Sequence, residues 1–195
     1  HSQSNEAWFF HTPGLKIVYP STPEDAKGLL TAAIEDPNPV LYFEHKYLYR
    51  SLTAEVPDDY YTTLIGKARQ VSEGEDLSII TYGTGVHWAQ QVAEQFDAYS
   101  FDILDMRTLL PYDKEAMLSS VQRTGKVIVL HEDTLTGGIG GEWASVIAAE
   151  AFEYLDGPVM RVGSLDTPVP FAKPLEEQFL PKARLQEAVE SLLPS

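Results

Sequence analysis

The sequence has no cysteine, few cations and no long apolar run, and each lack excludes something. With 0 Cys in 195 residues, disulfides, thiolate nucleophiles and Cys-type zinc sites are ruled out. Lys and Arg number 14 against 29 Asp and Glu, a formal charge of −15. Such a chain cannot displace the counterions of a phosphate backbone, which excludes a nucleic-acid binder. The same charge disfavours an anionic membrane surface and steers a basic protein partner in. Apolar runs extend only a handful of residues, far short of a membrane span, and no signal-peptide pattern opens the chain. The five histidines, His1, His11, His45, His87 and His131, form no His-x-x-x-His or His-Glu-x-x-His pair, so a helical zinc site has no support. A Gly-x-Ser-x-Gly elbow, a Walker loop and a Gly-x-Gly-x-x-Gly turn are all missing.

What is present reads as an ordinary globular chain of one to two domains, with 44% hydrophobic and 22% charged residues. Leu15 to Tyr19 is a short apolar strand closed by Pro20. Thr22 then caps a helix that has Pro23 at its first position and Asp25 three residues after the cap. Ala26, Leu29, Leu30, Ala33 and Ile34 make one apolar stripe. Asp36-Pro37-Asn38-Pro39 stops that helix, and Val40 to Phe43 is a buried-type strand. Two strands and one helix cannot close a core. With His1 rather than Met in first place, the expectation is that this third is the tail of a domain whose front lies upstream.

Residues 50 to 65, Pro- and Asp-bearing, read as a linker. Beyond it strands at Leu77–Tyr82, Phe101–Met106, Val127–Leu130 and Val159–Val162 alternate with helical patterns. Those helices carry Val86 to Phe96, about Asp113 to Gln122, Trp143 to Tyr154 and Leu185 to Leu193. The alternation predicts an α/β fold, a parallel sheet covered on both faces as a three-layer sandwich. The Trp143/Tyr154 stripe is expected to be core.

The chemistry-bearing candidates each have two readings. Thr136-Gly137-Gly138-Ile139-Gly140-Gly141-Glu142 lies between a strand and a helix, where amides cradle anions or where glycines allow close strand-to-helix approach; the second reading is preferred. His131-Glu132-Asp133 ends the central strand, where open parallel sheets place ligands, and reads as a solvated strand end. His45, after Glu44, reads the same way. Composition and spacing reach a folded, acidic α/β chain and stop before any reaction.

Longer patterns add a resemblance. His1-Ser2-Gln3-Ser4, Glu6-Ala7, Phe9-Phe10 and Pro13-Gly14-Leu15-Lys16 resemble the beta subunit of thiamine-diphosphate-dependent 2-oxoacid dehydrogenases. The likeness continues through Asp25 to Leu30, Ile34-Glu35-Asp36, Asn38-Pro39, Phe43-Glu44, Leu48-Tyr49-Arg50 and Asp105 to Leu109. It runs on through Thr124-Gly125-Lys126, His131-Glu132, Leu135 to Gly138 and Asp166-Thr167-Pro168. The branched-chain 2-oxoisovalerate type is nearer than the pyruvate type.

That resemblance implies a transketolase-like architecture. Residues 1–60 would be the C-terminal part of a pyrimidine-binding domain and residues 66–195 a transketolase C-terminal-like domain. It implies oxidative decarboxylation of a branched-chain 2-oxo acid (3-methyl-2-oxobutanoate), with pyruvate or acetoin as alternative substrates. The cofactor would be thiamine diphosphate, with Mg²⁺ held mainly by the alpha subunit. Position by position, His1 matches the family's active-site histidine, catalytic and beside the cofactor. Ala33, Asp36 and Asn38 match positions that hold a monovalent cation, K⁺, largely through backbone carbonyls; an ordinary helix stop is the competing reading. The implied partners are an alpha subunit in an α₂β₂ assembly with a beta–beta contact, and a lipoyl-bearing dihydrolipoyl acyltransferase. The implied place is the bacterial cytoplasm, or the mitochondrial matrix in a eukaryote. The 195-residue chain alone is expected to be inactive. A different reading makes the 66–195 unit chiefly a module for dimerisation and for docking a basic acyltransferase domain.

Overall fold

The computed structural model describes residues 3–193. Its main sheet has five strands: β3 (Arg69–Ser72), β4 (Leu77–Thr81), β5 (Phe101–Asp105), β7 (Val127–Thr134) and β8 (Met160–Ser164), in the order β3-β5-β4-β7-β8. The four central and far strands are mutually parallel, and β3 adds antiparallel to β5 at one edge. The sheet is therefore largely, not wholly, parallel.

Alternation along each strand sends neighbouring side chains to opposite faces. Ile80, Leu104, Val127 and Val129 meet Met117 and Val121 of α5 (Lys114–Thr124) and Trp143 and Ile147 of α6 (Gly140–Glu150). Leu77, Ile79, Ile103, Ile128 and Leu130 meet Trp88, Ala89 and Val92 of α4 (Thr84–Ala93) and Leu185, Ala188 and Val189 of α8 (Lys182–Leu192). These two apolar layers give the expected three-layer sandwich. Local signals set the ends of α5: the Asp113 carboxylate accepts from the amide of Ala116 at 3.3 Å, and Gly125, at φ 67°, closes it in the left-handed region.

The first third forms β1 (Lys16–Val18), α2 (Pro23–Glu35) and β2 (Val40–Tyr42), preceded by α1 (Glu6–Phe10) and followed by the single turn α3 (Leu48–Ser51). Thr22 caps α2 as expected, its hydroxyl accepting from the amide of Asp25 at 3.2 Å. β1 lies parallel to β2 and antiparallel to β6 (Thr108–Leu110), a strand contributed by the later part of the chain. Ile17 and Tyr19 enter the same apolar layer as Trp143, so the first third finishes its core on the main sheet.

Other expectations change as well. α6 stops at Glu150 and a 3-10 turn covers Phe152–Tyr154. Trp143 is fully buried, but Tyr154 is 50% exposed and leaves the stripe. The polar segment after Leu52 is not a free linker: the amide of Thr63 donates to the Gly28 carbonyl at 3.0 Å, and a side chain at Gly28 would collide with Thr63 and Tyr61. The Lys27 ammonium donates to the carbonyls of Pro57, Asp58 and Asp59. α7 (Lys173–Phe179) also appears where no helix is predicted.

Candidate functional site

At the carboxyl ends of β4 and β7 the first third meets the main sheet. His131, expected at a solvated strand end, is fully buried instead. Its Nδ1–H donates to the carbonyl of Asp133 at 2.9 Å, while Nε2 has no partner among the described residues. The glycine loop explains the burial. A Cβ on Gly138 would lie 2.7 Å from the imidazole Cε1, one on Gly140 2.5 Å from Cδ2, and one on Gly163 2.9 Å from Cε1. These glycines let backbone close over the ring, the close-approach reading. Burial, with Arg161 adding to it, pushes the His131 imidazole down to about 4, so it is neutral at physiological pH.

Beside it lies an acidic cluster that residue spacing does not reveal. Glu6, the first residue of α1, is 1% exposed, and its Oε1 accepts from the Tyr82 hydroxyl at 2.7 Å. Its Oε2 has no partner among the described residues. Burial pushes the Glu6 carboxyl up to about 7, opposed by hydrogen bonds from its own backbone amide and from Tyr82, with Asp133 and Glu132 adding to the rise. Burial likewise raises Asp133. Tyr19 and Tyr82 face one another with ring centroids 5.4 Å apart, and Tyr82 meets Trp143 edge-on at 5.8 Å.

His45 is not a solvated strand end either. It is half-buried, and its Nε2 lies 2.6 Å from Glu132 Oε2. Ser4, Glu6, His45, Glu132 and Phe171 line a cavity of about 520 Å³ at this seam. The structure thus brings together residues that follow directly on His1, the end of β2 and the end of β7. His1 itself lies outside the described residues.

A second link joins the same two parts of the chain. Asp25 of α2 receives Arg107 Nη1 on Oδ1 at 2.7 Å, and Arg69 Nε lies 3.2 Å from Oδ2. Arg69 also reaches the fully buried Asp105 at 3.2 Å, and Asp105 accepts from the Ser21 hydroxyl. Burial raises the Asp105 carboxyl, opposed by Ser21 and Arg69. The chain turns sharply at Arg107, which sits at φ 34°, and its carbonyl accepts from the amide of Tyr19 at 2.8 Å.

Ala33, Asp36 and Asn38 stand together on the turn that ends α2. A helical carbonyl at Ala33 would accept from residue 37, but Pro37 has no N–H to give. The Asp36 carboxylate is already occupied: Oδ1 accepts from the Asn38 amide at 2.9 Å and side chain at 3.2 Å, and Oδ2 receives the Lys16 ammonium. Lys16 foremost holds the Asp36 carboxyl below its usual range. The Asp36 side chain is therefore committed within the turn and to Lys16, and the Ala33 carbonyl lacks its helical partner. Among the described residues no group of three or more His, Asp or Glu side chains could hold a metal, and no helix is long and apolar enough to cross a membrane.

Comparison with known proteins gives consistent matches. The family described as transketolase, C-terminal domain, matches residues 66–184, and that described as transketolase, pyrimidine binding domain, matches residues 1–51. The 2-oxoisovalerate dehydrogenase subunit beta of Bacillus subtilis is 49% identical over 183 residues, 92% of this chain and 56% of that protein. Subunit beta 2 of the mitochondrial 2-oxoisovalerate dehydrogenase of Arabidopsis thaliana is 40% identical over 194 residues, 98% of this chain and 54% of that protein. The pyruvate dehydrogenase E1 component subunit beta of Staphylococcus aureus is 40% identical over 196 residues, 98% of this chain and 60% of that protein. The chain spans about half the length of the curated relatives it matches. Among solved structures, a split-gene transketolase described as an inactive beta4 tetramer superposes with TM-score 0.77 at 26% identity, covering 96% of this chain and 60% of that one. A transketolase variant from Pichia stipitis, at TM-score 0.64 and 15% identity, covers 96% of this chain and 26% of its own, and shares the fold.

Proposed function

Because the chain belongs to the transketolase C-terminal-domain family, we propose that it is part of the beta component of a branched-chain 2-oxoacid dehydrogenase. That component works with an alpha subunit to decarboxylate 3-methyl-2-oxobutanoate oxidatively and pass the acyl group to a lipoyl arm. The observation that carries this reading is the 49% identity to a 2-oxoisovalerate dehydrogenase beta subunit over 183 residues, against 40% for the pyruvate enzyme's beta subunit.

Thiamine diphosphate, when bound, supplies the carbanion-stabilising centre of this chemistry. The diphosphate and Mg²⁺ are assigned mainly to the alpha subunit, as the family resemblance implies. This chain's share is proton handling, positioning and docking. His1 is assigned to move a proton at the reacting oxygen or sulfur, a task suited to an imidazole that titrates near neutrality. The carbonyls of Ala33, Asp36 and Asn38 are assigned to K⁺, which would stiffen the turn between α2 and β2. The buried seam around Glu6, Tyr82, His45 and Glu132 fixes the stretch that continues from His1 against the main sheet. The acidic 66–195 unit makes the beta–beta contact and docks a basic domain of the acyltransferase, an association that weakens as salt rises.

The test is reconstitution. Full-length beta, alpha and thiamine diphosphate together should release CO₂ from 3-methyl-2-oxobutanoate, and a His1→Ala variant should lose that activity. The 195-residue chain alone should show no turnover; turnover from it would overturn the division of labour proposed here.

A further inference from the structure

Glu6 is a carboxylic acid in a place that resists its charge. It is 1% exposed, and the donors it meets are its own backbone amide and the Tyr82 hydroxyl, while Asp133 and Glu132 oppose its charge. Tyr82, after β4, donates its hydroxyl to Oε1. Tyr19, after β1, packs on Tyr82, and burial pushes its titration upward, with Glu6, Glu132 and Asp133 adding to the rise. Glu132 and Asp133 of β7 face Glu6 as carboxylates; His45 stands behind the first and Asp166 behind the second. Lys46 lines the same cavity as Glu6, yet among the described residues no ion pair reaches Glu6. Burying an unpaired carboxylate beside two others is far more costly than burying a neutral acid. The neutral acid keeps its proton on Oε2 and leaves Oε1 as the acceptor that Tyr82 needs.

We infer that Glu6 is a positioning residue that, in its protonated form, fastens the chain continuing from His1 to Tyr82 at the carboxyl end of β4. In its effect on turnover this rests on the function proposed above; as a fastening between two parts of the chain it stands on the geometry alone. Glu6 sits five positions after His1, so releasing it frees the residues that lead to the assigned proton carrier. Displacements of about 1 Å at a reacting group cost up to about a hundredfold in rate.

The sign of the pH effect follows. The folded carboxyl titrates at about 7, well above its ordinary value of 4.5. Unfolded chains lose this proton first, so the fastening is fully present below the ordinary value and is lost as pH rises through the folded one.

The test uses full-length beta assembled with its alpha partner and thiamine diphosphate, as wild type, Glu6→Gln and Glu6→Ala. Thermal midpoints and the steady-state rate on 3-methyl-2-oxobutanoate are followed from about pH 5.5 to about pH 8.5, across the Glu6 titration. Glu6→Gln keeps the acceptor and cannot ionise. It should retain kcat within about twofold and lose the fall in thermal midpoint that the wild type shows through neutrality. Glu6→Ala should lower kcat at least about tenfold with KM little changed. An unaltered pH slope in Glu6→Gln, or wild-type kcat in Glu6→Ala, overturns the inference. If wild type itself has no decarboxylase activity, the functional reading fails and the thermal slope alone decides the fastening. If Glu6→Ala does not assemble, the Glu6→Gln slope decides it.

Discussion

Arg107 donates to Asp25 Oδ1 at 2.7 Å, tying the turn after β5 to the first turn of α2. Asp25 is only 5% exposed in its side chain and Arg107 14%. Removing Arg107 leaves Asp25 with Arg69 as its remaining guanidinium partner. Arg107→Ala should therefore cost about 2 kcal/mol in denaturant unfolding, the worth of a hydrogen bond to a charged group. Arg107→Lys should recover only part of it, because the guanidinium also donates through Nε to the Lys67 carbonyl at 2.9 Å. A loss within about 0.5 kcal/mol, the size of an ordinary surface change, would show that the Arg107–Asp25 pair does not hold the two parts of the chain together.

The glycine loop makes a prediction of the same kind. A Cβ on Gly140 would stand 2.5 Å from His131 Cδ2 and 3.1 Å from Val129 Cγ1, so Gly140→Ala should destabilise by about 2 kcal/mol. His131→Ala vacates the ring's space and should restore part of that loss in the double variant, a coupling read from a double-mutant cycle. Additive losses would mean that the glycines serve something other than the imidazole.

His131 also predicts an acid-side effect. Its folded pKa of about 4 lies below the ordinary 6.5. The unfolded chain therefore takes up this proton first as pH falls. Stability from His131 is fully present above about 6.5 and is lost progressively toward 4, up to about 3 kcal/mol. His131→Gln, which cannot titrate, should flatten the stability curve over that window. An unchanged acid limb would contradict a neutral buried imidazole.

For the cation, the expectation is that K⁺ raises the thermal midpoint of full-length beta over choline at equal ionic strength. Pro37→Ala gives Ala33's carbonyl an N–H partner and should weaken that preference. Equal midpoints in the two salts would remove K⁺ from the account.

Much of the architecture was legible because the main strands are continuous apolar runs. Leu77–Thr81 and Val127–Leu130 are buried on both faces, and such strands announce themselves. β3 and β6 do not: Arg69-Gln70-Val71-Ser72 has one apolar residue and Thr108–Leu110 only three residues. Their pairing with β5 and β1 makes them strands, and that is tertiary information. The Thr22 cap and the Asp36–Asn38 turn were legible because their partners lie within three residues. The seam was not. His45 and Glu132 are 87 positions apart and Glu6 and Tyr82 are 76 apart, so nothing local distinguishes them from solvated polar residues. A signal existed for Glu6 alone, an acid set directly against Ala7-Trp8-Phe9-Phe10.

The most direct test of the central claim is a competition measurement. Full-length beta, reconstituted with its alpha subunit and thiamine diphosphate, is offered 3-methyl-2-oxobutanoate and pyruvate, and kcat/KM is compared. A preference of at least about tenfold for the branched substrate, roughly the discrimination that one or two methylenes in an apolar pocket supply, is the predicted result. A preference for pyruvate, or no decarboxylation of either, would contradict the account.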